Sequence, residues 1–338
     1  MTMILALESS CDETACAVVK DGKEILSSIV SSQINVHTQY GGVVPEVASR
    51  IHVENISTVV TEALTRSGVT MKDIDAIAFT QGPGLIGSLH VGVQAAKTLA
   101  WEYHKPLIPI NHMTGHIYAN RYAIDHDLKF PLLALVISGG HSQLVWMAND
   151  WDFKVLGTTR DDAIGEAYDK VSRVLGTGYP GGPVIDKMAK EGRPHYQLPT
   201  PKVDGKYDFS FSGLKTAVTQ LIAREEKAGR PIVKEDIAYA FQETALQSMI
   251  GKTLNAVKDL HPAMVVTAGG VAANSRLRVL LAEGMKQFPE IELSQPPIKF
   301  CTDNAAMIGA SGYIAYKHGL FGTLDVTADP GLSMPGEE

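Results

Sequence analysis

His112 and His116 stand four residues apart in NHMTGHIYANRYA. On a helix that spacing puts both imidazoles on one face, a turn apart. Two imidazoles so placed can share one divalent transition ion. A zincin-type peptidase needs Glu directly after the first His as general base, and Met113 holds that position. A third ligand must come from elsewhere. Asp303, in FCTDNAAM ahead of an apolar helix, can supply it, although an Asp there can equally well cap the helix.

Glycines form the second constellation. Ser138-Gly139-Gly140 follows an apolar run, where backbone N–H groups can wrap a phosphate. Gly269-Gly270 follows another such run and precedes Asn274, whose amide offers both a donor and an acceptor. Tyr179-Pro180-Gly181-Gly182-Pro183 is rich in turn residues, with Asp186 just beyond. A single Gly pair is more often a turn than a site, but three at strand ends point toward a nucleotide cleft. GxxxxGK[ST] is absent and no GxGxxG follows a strand, which disfavours P-loop and Rossmann readings. Acids cluster twice. Asp161, Asp162, Glu166 and Asp169 lie in TTRDDAIGEAYDKV, where solvent is the default partner. Glu8, Asp12 and Glu13 lie at the first turn, where they can hold a metal, orient water or bind an amine. GxSxG is absent, so no serine triad announces itself.

These groups need elements to position them. Residues 3–8 and 14–19 are expected to form two strands joined by an acidic turn, and residues 132–137 and 142–147 repeat the arrangement around Ser138–His141. A third apolar strand covers 264–267. Helical periodicity covers 45–67, 86–103 and 233–259, and the second of these is apolar nearly all round. Strands alternating with helices indicate an α/β protein, and the two strand–turn–strand units suggest two lobes of similar design. The final GLSMPGEE has no periodicity and is expected to be frayed.

Composition narrows the classes further. The 338 residues carry a net charge of −7, so a general nucleic-acid coat is excluded. Residues 187–234 run against that balance, with ten Lys and Arg against five Asp and Glu. They form either a solvated helical insertion or a basic docking patch for a polyanion. Cys11, Cys16 and Cys301 include no CxxC pair, which argues against a disulfide scaffold or a zinc ribbon and for a reducing, cytoplasmic home. The opening MTMILALESSCDE has no basic segment and turns polar at Glu8, so no signal peptide is expected. No apolar run approaches the roughly 20 residues of a membrane span.

The segments ESSCDET, YGGVVPEVASRIH, QGPGLIGSL, NHMTGH, ISGGHSQL, DDAIGEAYDK, YPGGP, DFSFSGLKT, AGGVAANSRLR and CTDNAAM, taken together, resemble the tRNA N6-adenosine threonylcarbamoyltransferase family (bacterial TsaD, formerly labelled a glycoprotease). The match runs from residue 5 to about 310. One departure is Thr114, where the family often has an acid.

The resemblance implies an actin-like α/β fold with two RNase-H-like lobes around a nucleotide cleft. Residues 1–110 plus 306–330 would form the N-terminal lobe. Residues 111–305 would form the other, with a helical insertion near 155–235. It implies transfer of the threonylcarbamoyl group from L-threonylcarbamoyl-AMP to N6 of adenosine 37 in tRNAs reading ANN codons, with release of AMP. Carried over by position, His112, His116 and Asp303 are the expected ligands of iron(II), or of zinc. Val136, Ile137, Ser138, Gly139 and Gly140 are the expected phosphate loop. Asp169, Gly182, Asp186 and Asn274 are the expected ribose and nucleoside contacts, and Asp12 and Glu13 the expected catalytic carboxylates. A TsaB-like paralogue is expected on the helices 45–67 and 86–103, with a TsaE-like ATPase joining them. Two other readings stay open on fold and residues alone: an ATP-dependent phosphotransferase, and a metallopeptidase.

Overall fold

The apolar run MILALE forms β1 (Met3–Glu8), buried along its whole length. Such a run fits a strand covered on both faces. In the computed structural model, which describes residues 1–337, β1 is the centre of a five-stranded sheet. It pairs antiparallel with β2 (Glu13–Lys20), Met3 facing Lys20 and Glu8 facing Ala15, and parallel with β4 (Ala76–Gly82). The edges are β3 (Glu24–Ser32) and β5 (Leu107–Asn111), giving the order β3-β2-β1-β4-β5.

Alternation along β1 feeds two cores. Leu5 and Leu7 meet Phe79 and the helices α2 (Pro45–Ser67) and α3 (Ile86–Tyr103). Ile4 and Ala6 meet Met307 and Ile308 of α10 (Ala305–Lys317). Each Leu or Ile so enclosed contributes roughly 1.5–3 kcal/mol relative to exposure. Pro45 opens α2 at its first turn and Gly68, at φ 70°, closes it. A short α1 (Ile34–His37) precedes it.

The second sheet repeats the topology. Central β6 (Leu132–Ile137) pairs antiparallel with β7 (Ser142–Met147) and parallel with β9 (Met264–Ala268). β8 (Phe153–Thr158) and β10 (Glu292–Ser294) form the edges. Around it lie α5 (Ile164–Leu175), α6 (Gly181–Glu191), α7 (Ser212–Lys227), α8 (Lys234–Leu260) and α9 (Ser275–Met285).

The chain divides into two compact units. One comprises Met1–Leu128, Asp150–Asp152 and Pro296–Glu338, and the other Lys129–Asn149 and Phe153–Gln295. The division therefore falls later than residue 110 and earlier than residue 306. The cause is α4 (His112–Tyr118), which packs on α10 within the first unit. Thr114, fully buried, shares a 3.0 Å hydrogen bond with Ser311 across that contact.

The expected frayed tail is a correction. Asp329 N donates to Gln81 O at 2.9 Å, Asn111 Nδ2 donates to Ser333 O at 3.0 Å, and Met334 is buried. Local aperiodicity says nothing about a segment whose backbone is paired by distant residues. Among the described residues no helix is long and apolar enough to cross a membrane.

Candidate functional site

Two asparagine caps set the placement of His112, His116 and Asp303. At the end of β5, Asn111 Oδ1 accepts from Met113 N at 2.8 Å, so α4 begins at His112 and presents His116 one turn later. Asn304 Oδ1 accepts from Met307 N at 3.0 Å and caps α10. The capping task open to Asp303 thus falls to its neighbour, and the Asp303 carboxylate faces the two histidines instead. His112 Nε2 and His116 Nε2 lie 3.1 Å apart, and Asp303 Oδ1 lies 3.3 and 3.2 Å from them.

Glu8, at the end of β1, completes the arrangement. Its Oε2 lies 2.9 Å from His112 Nδ1 and accepts from Thr80 Oγ1 at 2.5 Å, while its Oε1 accepts from Ser10 N. The carboxylate fixes the proton on Nδ1 and leaves the Nε2 lone pair for the trio, the usual orienting partnership of a metal-bound imidazole. Burial alone would raise the Glu8 carboxyl, but the His112 imidazole overcomes this and holds it low. Burial likewise opposes charge on His112, yet Glu8 and Asp303 together raise it well above its ordinary value. Asp303 is held far below the carboxylate range: burial would lift it, and the two histidines outweigh burial. His116 is lowered, chiefly by burial.

Both acids therefore call for positive charge at His112. A small N,N,O triangle with such a second layer fits a divalent transition ion, and two His with one carboxylate is the ligand set of non-haem iron(II) as well as of catalytic zinc. Glu8→Gln is expected to weaken metal affinity about 10- to 100-fold, read by competition titration with a chromophoric chelator.

Asp12, in the turn after β1, and Glu13, the first residue of β2, sit beside this centre. Glu13 Oε1 accepts from Ser32 Oγ at 3.0 Å. Burial, then the charges of Asp303 and Asp12, push the Glu13 carboxyl up to about 9.

The nucleoside-type residues gather in the second unit. Val136 and Ile137 end β6. Ser138 N donates to His141 O at 2.8 Å and His141 N donates to Ser138 Oγ at 3.1 Å, closing a tight turn. Gly139 and Gly140 are exposed. Gly269, at φ 90°, brings the end of β9 against it, since a Cβ there would stand 2.3 Å from Ile137 O. Asp169 Oδ1 accepts from Gly181 N at 2.7 Å and ties α5 to the first residues of α6, beside Gly182. Asp186 accepts from Ser275 Oγ at 3.0 Å. Asn274 caps α9 through Leu277 N at 2.9 Å and donates to Gln242 Oε1 at 2.9 Å.

These residues thus share one region, but Asn274, Asp169 and Asp186 already carry structural hydrogen bonds. The acids 161–166 depart from the solvent expectation. Asp161 accepts from Phe211 N at 2.7 Å, and Lys170 bridges Asp162 and Glu166.

A family model described as tRNA N6-adenosine threonylcarbamoyltransferase matches residues 24–310. A relative of that name from Listeria welshimeri is 52% identical over 335 residues, covering 98% of this chain and 97% of its own. The Bacillus subtilis relative is 50% identical over 332 residues, covering 98% and 95%. The chain belongs to the tRNA N6-adenosine threonylcarbamoyltransferase family.

Solved structures speak to the fold. HypF from T. kodakarensis aligns with a TM-score of 0.64 at 14% identity, over 94% of this chain and 48% of that one. Component A of (R)-2-hydroxyglutaryl-CoA dehydratase from Acidaminococcus fermentans aligns at 0.54 and 16% identity, over 94% and 97%. With the repeated sheet topology, these identify the actin-like α/β fold for this threonylcarbamoyltransferase-family chain. Two features of the site escape sequence reasoning. Glu8 reads there as one of the first-turn acids, and nothing local marks it as the partner of His112. The Tyr168–Gln242–Asn274 cluster lies across three elements and leaves no local signal.

Proposed function

We propose that this chain forms N6-threonylcarbamoyladenosine in tRNA, taking the threonylcarbamoyl group from L-threonylcarbamoyl-AMP to N6 of adenosine 37 in tRNAs reading ANN codons. The observation that carries the reading is the 52% identity to a named transferase across 98% of the chain. In the reaction the exocyclic amine attacks the carbamoyl carbonyl carbon. The bond from that carbon to the phosphate oxygen breaks, AMP departs with the electron pair, and the amine loses a proton. The amine is a weak nucleophile, so its partner must be made electrophilic and its proton accepted.

Each residue set has a task in that scheme. His112, His116 and Asp303 would hold the ion, iron(II) or zinc. A divalent ion there supplies Lewis-acid polarisation of a donor oxygen. Asp12 takes the amine proton, and Glu13 stands beside it as the second carboxylate of the site. The N–H groups of Gly139 and Gly140 make no hydrogen bond within the described residues and suit the phosphate of the leaving AMP. Asp169, Gly182, Asp186 and Asn274 line the nucleoside region, where their shared hydrogen bonds support a rigid floor.

The basic stretch supports a tRNA contact. Lys187, Arg193, Lys202, Lys215 and Lys227 are exposed and make no ion pair among the described residues. A triple Lys202→Glu, Lys215→Glu, Lys227→Glu variant is expected to raise KM for tRNA with kcat retained. The salt slope of log affinity should fall by about 0.7–0.9 for each phosphate that is no longer neutralised.

A TsaB-like paralogue fits α2 and α3, which expose Val53, Ile86, Trp101 and Tyr103. A TsaE-like ATPase completes the set, and a tRNA substrate places the work in the cytoplasm.

The deciding assay mixes the full chain, with and without these partners, with donor labelled in the threonylcarbamoyl group and unmodified tRNA. Label on tRNA adenosine is the expected result. Metal-loaded protein that never labels tRNA under any combination would sink the reading.

A further inference from the structure

The turn that carries Asp12 and Glu13 is gripped at every residue. Ser9 Oγ donates to Ser88 O at 2.9 Å, Leu85 N donates to Ser10 O at 2.7 Å, and Gln33 N donates to Asp12 O at 2.9 Å. Ser32 Oγ holds Glu13. His52, on α2 and fully buried, supplies the remaining grip. Its Nε2 lies 2.9 Å from Cys11 O and its Nδ1 lies 2.7 Å from Thr14 Oγ1. Those partners stand immediately before and after the Asp12-Glu13 pair. Cys11 O can only accept, so Nε2 carries the proton and Nδ1 accepts from the Thr14 hydroxyl. Both ring nitrogens of one neutral imidazole thus bridge the turn.

The bridge has a load to bear. Asp12, Glu13 and Asp303 are half-buried neighbours, close enough for the charges of Asp303 and Asp12 to act on the Glu13 carboxyl, so the turn holds acids together that would separate if it opened. An apolar side chain could fill the space of the ring without the desolvation penalty of a buried imidazole. It could not hold the Cys11 carbonyl, which would be left without that partner.

We propose that His52 is a positioning residue for the transfer reaction, fixing the Asp12-Glu13 turn through Cys11 O and Thr14 Oγ1. This rests on the reading of Asp12 and Glu13 as the acids of the site. His52 acts on kcat through the placement of those carboxylates, and it has no part in holding the metal or the substrates. A displacement of about 1 Å at reacting groups can lower a rate on the order of 100-fold.

The test is steady-state transfer by the full chain, with any partner proteins that the wild type requires. His52→Ala is expected to lower kcat about 10- to 100-fold. KM for tRNA and donor, and zinc affinity at the His112 centre, should stay within about twofold, a split that general loosening of the fold would not give. His52→Gln can still donate to Cys11 O and accept from Thr14, so it should recover most of the rate.

Thr14→Val keeps the buried shape and removes one arm of the bridge, with a smaller loss of kcat expected. Wild-type kcat in His52→Ala overturns the proposal, as does a His52→Gln chain no better than His52→Ala. Should His52→Ala not fold, wild-type kcat in Thr14→Val overturns it equally. Asp12→Asn separates the two ideas. Normal transfer by Asp12→Asn defeats the acid reading, whereas impaired Asp12→Asn beside a normal His52→Ala defeats the bridge.

Discussion

Alanine at both His112 and His116 is expected to abolish metal binding and to lower transfer by about 100- to 1000-fold, the scale set by removing one preorganised stabiliser of developing charge. The two nitrogens are 3.1 Å apart in a nearly dry setting, and Asp303 alone cannot chelate. The change also removes the counter-charge of Glu8 and Asp303, leaving two buried acids facing each other's field. The Glu8 carboxyl, now held low by His112, should rise once that partner is gone.

Activity is not the sole readout. A ligand that binds only the folded chain stabilises it by about 2.7 kcal/mol at a hundred times Kd. Wild-type protein should therefore melt higher when zinc or iron(II) is added, and the double variant should not shift. A double variant that still gains stability from the ion would move the metal to other residues. A variant that loses the shift but keeps full transfer would leave the metal without a catalytic part.

The legible parts of this chain are those whose signal is local. The strand β6 is an unbroken apolar run, and β1 is one up to Glu8, because each is the centre of its sheet. The helices α2 and α3 have the bounds expected from periodicity, since Pro45, Gly68 and the left-handed His104 punctuate them. His112 and His116 declare themselves by spacing alone.

What stays hidden is set by strand order. Glu8 reaches His112 because β1 lies beside β4 and β4 beside β5, a neighbourhood that no window of sequence contains. The edge strands β3 and β8 mix polar residues into their exposed side and blur the alternation. The docking of the tail rests on backbone partners such as Gln81 O, to which side-chain type is blind. The lobe boundary departs from expectation for a similar reason: α4 follows β5 in sequence yet belongs with α10, almost 190 residues later. Asp303 lies between these cases. Its type and its place before an apolar helix suit both cap and ligand, and only the position of Asn304 Oδ1 on Met307 N decides against the cap.

The glycine turn gives the second large effect, and it can be tested without touching a residue of the turn itself. Gly165 is the second residue of α5, and its Cα faces the loop after β6. A Cβ there would stand 2.6 Å from Ser138 O, 2.8 Å from Gly139 Cα and 3.0 Å from Gly139 N. All three are backbone atoms, so no rotamer change relieves the clash. Either the first turn of α5 or the 138–140 loop must shift.

Gly165→Ala is therefore expected to raise KM for the adenylate donor by about 10- to 100-fold, with zinc affinity at His112 unchanged because that centre lies in the other unit. Gly139→Ala provides the contrast. A Cβ at Gly139 meets nothing within 4 Å, so the protein has room for it and thermal stability should hold. If Gly139→Ala weakens donor binding at an unaltered melting temperature, the space that its methyl enters is space the ligand needs. If both variants bind donor like the wild type, the turn is a structural corner and the phosphate lies elsewhere.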